Sequence, residues 1–431
     1  MISRYFKLSL LMVSVIAAGD SAGNGAERTA ATNDPIKWSA TDWPWWRGPQ
    51  RNGAADPLQK PPLHWSNTEN IVWKTPIPGK GHGSPTIIGD RIYLANANEE
   101  AGTQSILCLD RATGKLLWDQ VVHKGGLNPK GNKKSSLASG SVAGDGTRLF
   151  MNFFHGGQIW VSALDAQNGK ILWQKAVTDF AVHQGYGPSP TVYGSLVIVS
   201  TDNVGHGVLT ALDRATGEVV WKQERPKTHN YTSPIVLHVA GKDQVICTGC
   251  SLIASYDPLT GKKNWEVPGS TDECVTSTVT DGELVFSTGG YPRNHMEAIK
   301  ADGSKKIVWS TTNRLYVPSM LIKDGYLYGT QDGGIATCWK ADTGKKIWDK
   351  RLGGTFSASP VLVGDLIYAT DEAGKTTIFK ANPQKYEEVA TNQLAEENFA
   401  TPTIVGGKLY ARSATTADGK RQEFLYCVGE K

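Results

Sequence analysis

Ala211-Leu-Asp-Arg-Ala-Thr-Gly-Glu-Val-Val-Trp221 is the stretch whose reading decides the fold. The apolar residues ahead of Asp213 read as a buried strand. Asp213 bonds back to nearby backbone N–H groups, and Gly217 takes the φ > 0 position of a tight turn. The next strand ends in Trp221. The same pattern stands at Cys108–Trp118, Ala163–Trp173 and Ser255–Trp265, and in degenerate form at Ala298–Trp309 and Trp339–Trp348. Successive terminal tryptophans lie 55, 48, 44, 44 and 39 residues apart, the length of a four-stranded propeller blade.

A second unit alternates with the first. Ser84-Pro-Thr-Ile-Ile-Gly-Asp-Arg-Ile-Tyr-Leu94 reads as two short strands around a Gly-Asp turn. Matching units begin near Ser139, Ser189, Ser233, Ser277, Ser319, Ser359 and Thr401, which makes eight. The last is followed only by Phe424–Val428 and lacks its Trp strand. Asn70–Ile77 has that strand's character, and Trp73 lies one period, 45 residues, before Trp118. Pairing it with the C-terminal strands closes a ring and removes its free edges.

The expected fold is therefore all-β: an eight-bladed propeller of four-stranded antiparallel blades, with an N-terminal strand completing the C-terminal blade. Trp73, Trp118, Trp173, Trp221, Trp265, Trp309 and Trp348 are expected to dock blade against blade. Gly114, Gly169, Gly217, Gly261 and Gly344 are expected to form the turns. The blade over 357–395 has lost its Trp, and Lys385-Tyr-Glu-Glu-Val389 occupies that place.

The 431 residues include 47 Gly and 14 Trp, and net charge is only +4. That balance argues against a nucleic-acid partner. Arg4 and Lys7, then the apolar run Leu8–Ala18 and small residues through Ala22, read as a signal peptide over 1–23, cut between Ala18 and Gly23. Residues 24–69 read as a Trp-rich extension and 70–431 as the propeller. No later run is long enough to span a membrane, and no Cys in the first hundred residues could carry a lipid. Periplasmic or secreted placement is expected. Cys108, Cys338 and Cys427 read as buried thiols. Cys247 and Cys250 have half a metal site's spacing but lack a second pair, so no metal site is expected.

The repeat resembles the pyrroloquinoline quinone (PQQ)-type propeller repeat, Ala-x-Asp-x-x-Thr-Gly-x-x-x-Trp, over roughly residues 70–430. Trp43-Pro-Trp-Trp-Arg-Gly-Pro-Gln-Arg-Asn-Gly53 resembles the leader of exported bacterial PQQ-like repeat proteins abundant in planctomycetes. The repeat is similar to that of two further families. One is the BamB-type lipoprotein of outer-membrane assembly, which implies a non-catalytic scaffold with a protein partner in the envelope. The other is the quinoprotein dehydrogenases, which implies PQQ, calcium held by Glu, Asn and Asp, a catalytic Asp and often an adjacent Cys-Cys pair. No two Cys are adjacent here, and Asp272, Glu273 and Asn313 are calcium candidates by polarity alone. The expectation is a binding scaffold without a cofactor or catalytic residues, the alternative being a PQQ- and calcium-dependent dehydrogenase. A monomer is the expected state.

The loops before the Ser-Pro-like units should line a funnel at one end of the channel. They carry His82, His183, Tyr186, His229, Tyr231, Arg314 and Tyr316, which suit a planar or anionic ligand or simply plug the channel. The recurring Ser marks a strand start in nearly every repeat, and no nucleophile elbow accompanies it. The basic insertion Lys124–Lys134 is expected to be an exposed, solvated loop, the alternative being a dock for an acidic partner or an anionic polysaccharide. The Trp38–Trp46 cluster is expected to pack across the propeller, with a sugar platform as the alternative.

Overall fold

The computed structural model describes residues 31–128 and 131–430; the predicted signal peptide lies outside them. Every regular element among these residues is a strand. Eight antiparallel sheets follow one another as blades of an eight-bladed propeller. Blades 1 to 7 span 86–124, 143–179, 191–224, 235–268, 279–311, 321–351 and 361–393. Blade 8 is composite: three strands from 403–428 are completed by Ile71–Ile77, which pairs antiparallel with Lys420–Val428. The ring therefore closes by hydrogen bonds between the two ends of the propeller chain, as the sequence predicts.

The motif tryptophans dock the blades through a repeated contact. Each indole N–H reaches the outer turn of the next blade. Trp73 donates to Arg111 O (3.2 Å), Trp118 to Gln167 O (3.1 Å), Trp173 to Arg214 O (3.1 Å) and Trp221 to Pro258 O (3.0 Å). Trp265, Trp309 and Trp348 continue the series with Ala301 O, Ala341 O and Asn382 O. The turn glycine lies under the ring of the preceding blade's Trp: Gly114 against Trp73, Gly169 against Trp118, Gly217 against Trp173, Gly261 against Trp221 and Gly344 against Trp309. A Cβ there would stand 2.4–2.8 Å from the indole. A β-bulge in the outer strand precedes or abuts the Trp in each of these blades, as between Ile171 and Trp173, and re-aims its side chain.

Blade 7 departs from the pattern and shows how the gap is filled. The strand register places Ala390, not a residue of Lys385–Val389, opposite Ile378, where other blades hold Trp. Trp65 of the N-terminal extension fills the space. Its indole stacks on Tyr368 (centroids 6.5 Å, interplanar 8°) and shares a core with Ala390 and Leu425. Asn392 holds the chain there, its Oδ1 accepting the backbone N–H of Trp65 and its Nδ2 donating to Leu63 O, both at 2.9 Å.

The extension also runs across the propeller axis. Trp43 pairs with Ile87 in blade 1, Gly144 N donates to Pro44 O, and Ala54–Ala55 pairs in parallel with Leu362–Val363 in blade 7. Between these points Arg47 is buried. Its guanidinium donates to Met320 O (2.6 Å), Asn52 O (2.8 Å) and Pro360 O (3.4 Å), and desolvation pulls its pKa down to about 9. Arg51 lies 4.1 Å over the Trp45 ring.

Candidate functional site: the axial funnel

The innermost strands begin with a hydroxyl residue in every blade, and these hydroxyls link neighbouring blades. Ser84 N donates to Ser141 Oγ, Ser141 N to Ser189 Oγ and Ser189 N to Ser233 Oγ, at 2.8–2.9 Å. Ser277 N, Ser319 N and Ser359 N continue to Ser319, Ser359 and Thr401, each at 2.9 Å. The hydroxyl in register in blade 2 is Ser141, two residues beyond the Ser139 suggested by sequence. The series skips two junctions: Ser277 Oγ of blade 5 instead accepts the indole N–H of Trp46 from the extension at 2.8 Å, and Ser84 Oγ of blade 1 has no hydrogen-bond partner among the described residues.

Above this ring lies a cavity of about 470 Å³, within the usual range of ligand sites. Trp46 lines it from the extension side and stays partly exposed. Five of the seven sequence-predicted funnel residues border it: His82, Tyr186, Tyr231, Arg314 and Tyr316. His183 and His229 do not. They stack on each other at 4.6 Å beside it, and His183 Nδ1 meets Tyr231 Oη and Glu273 Oε1, both at 3.3 Å.

The funnel's ionic groups are paired within the protein. Arg314 holds Asp332 through two bonds (3.1 and 2.9 Å) and lies 5.2 Å over Tyr316. Lys134, at the end of the basic insertion, reaches Glu372 of blade 7 at 2.8 Å, and Ser357 Oγ donates to the same carboxylate. That bridge passes blades 1 and 8 and crosses the mouth. Burial, then the charges of Lys80, Arg412 and Arg421, push the His82 pKa well down, so its imidazole is neutral. Its ring stacks on Phe399 at 4.6 Å, and its Nε2 is buried without a hydrogen-bond partner. Tyr186 is committed to packing: it donates to Ser200 O and sits edge-on to Phe180.

The hydroxyl ring, Asp332 and Glu372 were not singled out as site residues from sequence; Trp46 entered only within the Trp38–Trp46 cluster, whose expected role was packing with a sugar platform as the alternative. The recurring Ser was visible, but only as a strand start. The donor set does not fit a calcium-bound quinone. Asp332 and Glu372 are committed to cations, and among the described residues no three acidic, His or Cys side chains gather to hold a metal. The six cysteines are free and buried.

A family model described as outer membrane protein assembly factor BamB matches residues 102–350 and 297–413. The chain belongs to this PQQ-type repeat family. BamB of Yersinia pestis is 21% identical, over 84% of this chain and 82% of its own. A polyvinylalcohol dehydrogenase of Sphingopyxis is 24% identical over 78% of this chain, which spans only 50% of that enzyme's length. Among solved structures, BamB from Moraxella catarrhalis superposes with a TM-score of 0.59 at 16% identity, over 84% of this chain and 97% of its own. A europium-containing methanol dehydrogenase superposes with 0.67 at 12%, over 92% and 99%. At such identities the BamB-type chain shares the fold with both groups, and the superpositions say nothing further. Among the described residues no helix is long and apolar enough to cross a membrane.

Proposed function

We propose that the protein is an exported, non-catalytic scaffold of the periplasm or cell surface, whose funnel binds a protein partner or a small ligand without a cofactor. The observation that carries this reading is the pairing inside the funnel. Arg314–Asp332 and Lys134–Glu372 satisfy one another at 2.9 and 2.8 Å, while aromatic rings and hydroxyls face the cavity. Chemistry on a substrate needs a poised acid, base, nucleophile or metal; recognition needs shape and hydrogen-bond complementarity. Membership of a family described by an assembly factor, and the signal-peptide pattern of residues 1–23, support the placement.

Photocrosslinking tests it. A photoreactive phenylalanine analogue in place of Tyr316 should yield a discrete adduct in envelope extract, and the same analogue at Leu116 on the outer rim should not. Equal labelling at both positions would sink the funnel as the binding surface. The similarity to polyvinylalcohol dehydrogenase motivates a second reading, a quinone-dependent dehydrogenase. Titration with PQQ and Ca²⁺, followed by absorbance and melting temperature, separates the two. A saturable shift would favour the enzyme.

A further inference from the structure

We infer that the funnel ligand is a neutral saccharide, one sugar ring lying against Trp46 with its hydroxyls on the Ser/Thr ring. The inference rests on the funnel being the binding surface and adds the chemical class of ligand.

Three observations carry it. The first is the state of the ring hydroxyls. Ser141, Ser189, Ser233, Ser359 and Thr401 each accept one backbone N–H, which fixes the oxygen. None of these hydroxyls donates to a protein group among the described residues, and all five border the cavity. A ring of fixed oxygens with unspent protons calls for a ligand bearing several acceptors around its edge.

The second is Trp46. Its N–H is fixed on Ser277 Oγ at 2.8 Å, so the indole is held from its edge. It borders the cavity and is partly exposed, although it lies on the propeller axis. An indole used only as filler would be covered. An immobilised aromatic ring beside oriented hydroxyls matches a pyranose, which has apolar C–H faces and a hydroxyl-bearing rim.

The third is charge. The cavity is bordered by Lys134, Arg314, Asp332 and Glu372, which neutralise one another in two pairs, and by His82, whose imidazole is neutral. An anionic ligand would have to break an existing ion pair to gain a cation. An uncharged polyol needs no such exchange.

Calorimetry and tryptophan fluorescence with cellobiose and maltose test the inference, with inorganic phosphate as the charged probe. At least one disaccharide should bind and shift the fluorescence, and phosphate should not. Ser233→Ala and Thr401→Val should each weaken binding about three- to tenfold, the effect of one hydrogen bond. Trp46→Phe should abolish most of the fluorescence shift. Circular dichroism checks that each variant is folded, and any one folded variant suffices. Binding of neither disaccharide, affinity unchanged in every folded variant, or phosphate binding more tightly would overturn it. If the saccharides fail while the Tyr316 crosslink persists, the ligand class alone is wrong. If the crosslink fails too, the funnel reading falls with it.

Discussion

Gly217→Ala is expected to destabilise the propeller by about 2–5 kcal/mol, and the structure separates that figure into two parts. Gly217 has φ +74°, a conformation that costs an L-residue about 1–2 kcal/mol. An added Cβ would also stand 2.6 Å from Cδ2 and Cε3 of Trp173. Ordinary contact begins near 3.4 Å, so the turn or the indole must retreat by about 0.8 Å. Trp173 is buried, and its N–H is fixed on Arg214 O, so the retreat costs about 1–3 kcal/mol as overpacking. Gly241→Ala is the matched control: its φ is +75°, and nothing lies within 4 Å of its Cβ position. It should lose only the first part. Equilibrium urea unfolding gives both numbers from the midpoint shift at constant slope. Equal losses in the two variants would refute the docking of the turn under the preceding blade's Trp.

Other consequences follow from the same geometry. Trp65→Ala should cost about 3–5 kcal/mol, as for a fully packed core aromatic, and Trp65→Phe clearly less, read by the same unfolding experiment. Arg47→Ala removes a buried donor to three carbonyls; it should cost about 2–4 kcal/mol and expose the extension to limited trypsin digestion. Burial pulls His123 and His295 down to about 4 from the ordinary 6.5, so both fold neutral. The unfolded chain then binds more protons between those values, and stability falls as pH drops from 6.5 to 4 and levels off below, by at most about 3 kcal/mol per residue. The buried Glu297 carboxyl, raised by desolvation, works in the opposite sense, its contribution being lost as pH rises. His295→Asn should flatten the acid slope; an unchanged slope would show that the buried imidazole does not titrate as described.

The repeat was legible because its signal is local and covalent. Asp, Gly and Trp stand at fixed spacing within one hairpin, so blade count and ring closure through Ile71–Ile77 could be read from spacing alone. The replacement of the blade 7 Trp could not. Ala390 opposite Ile378 follows from register, and Trp65 comes from more than three hundred residues away. Trp65 compensates by volume, leaving no motif to read. The funnel divides along the same line. His82, Tyr186, Tyr231 and Tyr316 stand at aligned loop positions and Arg314 beside one of them, so repetition pointed to them. His183 and His229 lie near the aligned positions in the same loops, but they stack on each other outside the cavity, because ring-to-ring contact is set in three dimensions. Lys134–Glu372 and Trp46–Ser277 join segments 238 and 231 residues apart, beyond the reach of any local pattern.

The ring of hydroxyls sharpens the choice between a packed channel and a binding site. Holding blades together requires only that each Oγ accept its neighbour's N–H. Channel packing would require side chains to fill the space above. Tyr186 does this, with its hydroxyl spent on Ser200 and its ring against Phe180. Trp46 and Tyr316 lie at the same cavity yet stay partly exposed, and about 470 Å³ remains open between the loops. Oriented but unspent hydroxyls around such a space must be met by water or by a ligand. A ligand whose oxygens replace that water ring for ring loses little polar complementarity and gains the indole face, so it has a free-energy advantage that a purely apolar occupant lacks. The two sets of contacts use different atoms. The outer turns and tryptophans fix the blades, while the inner hydroxyl protons remain unused by them. Substitutions such as Thr401→Val can therefore change the affinity of the funnel while leaving the Trp-to-turn contacts of the ring in place.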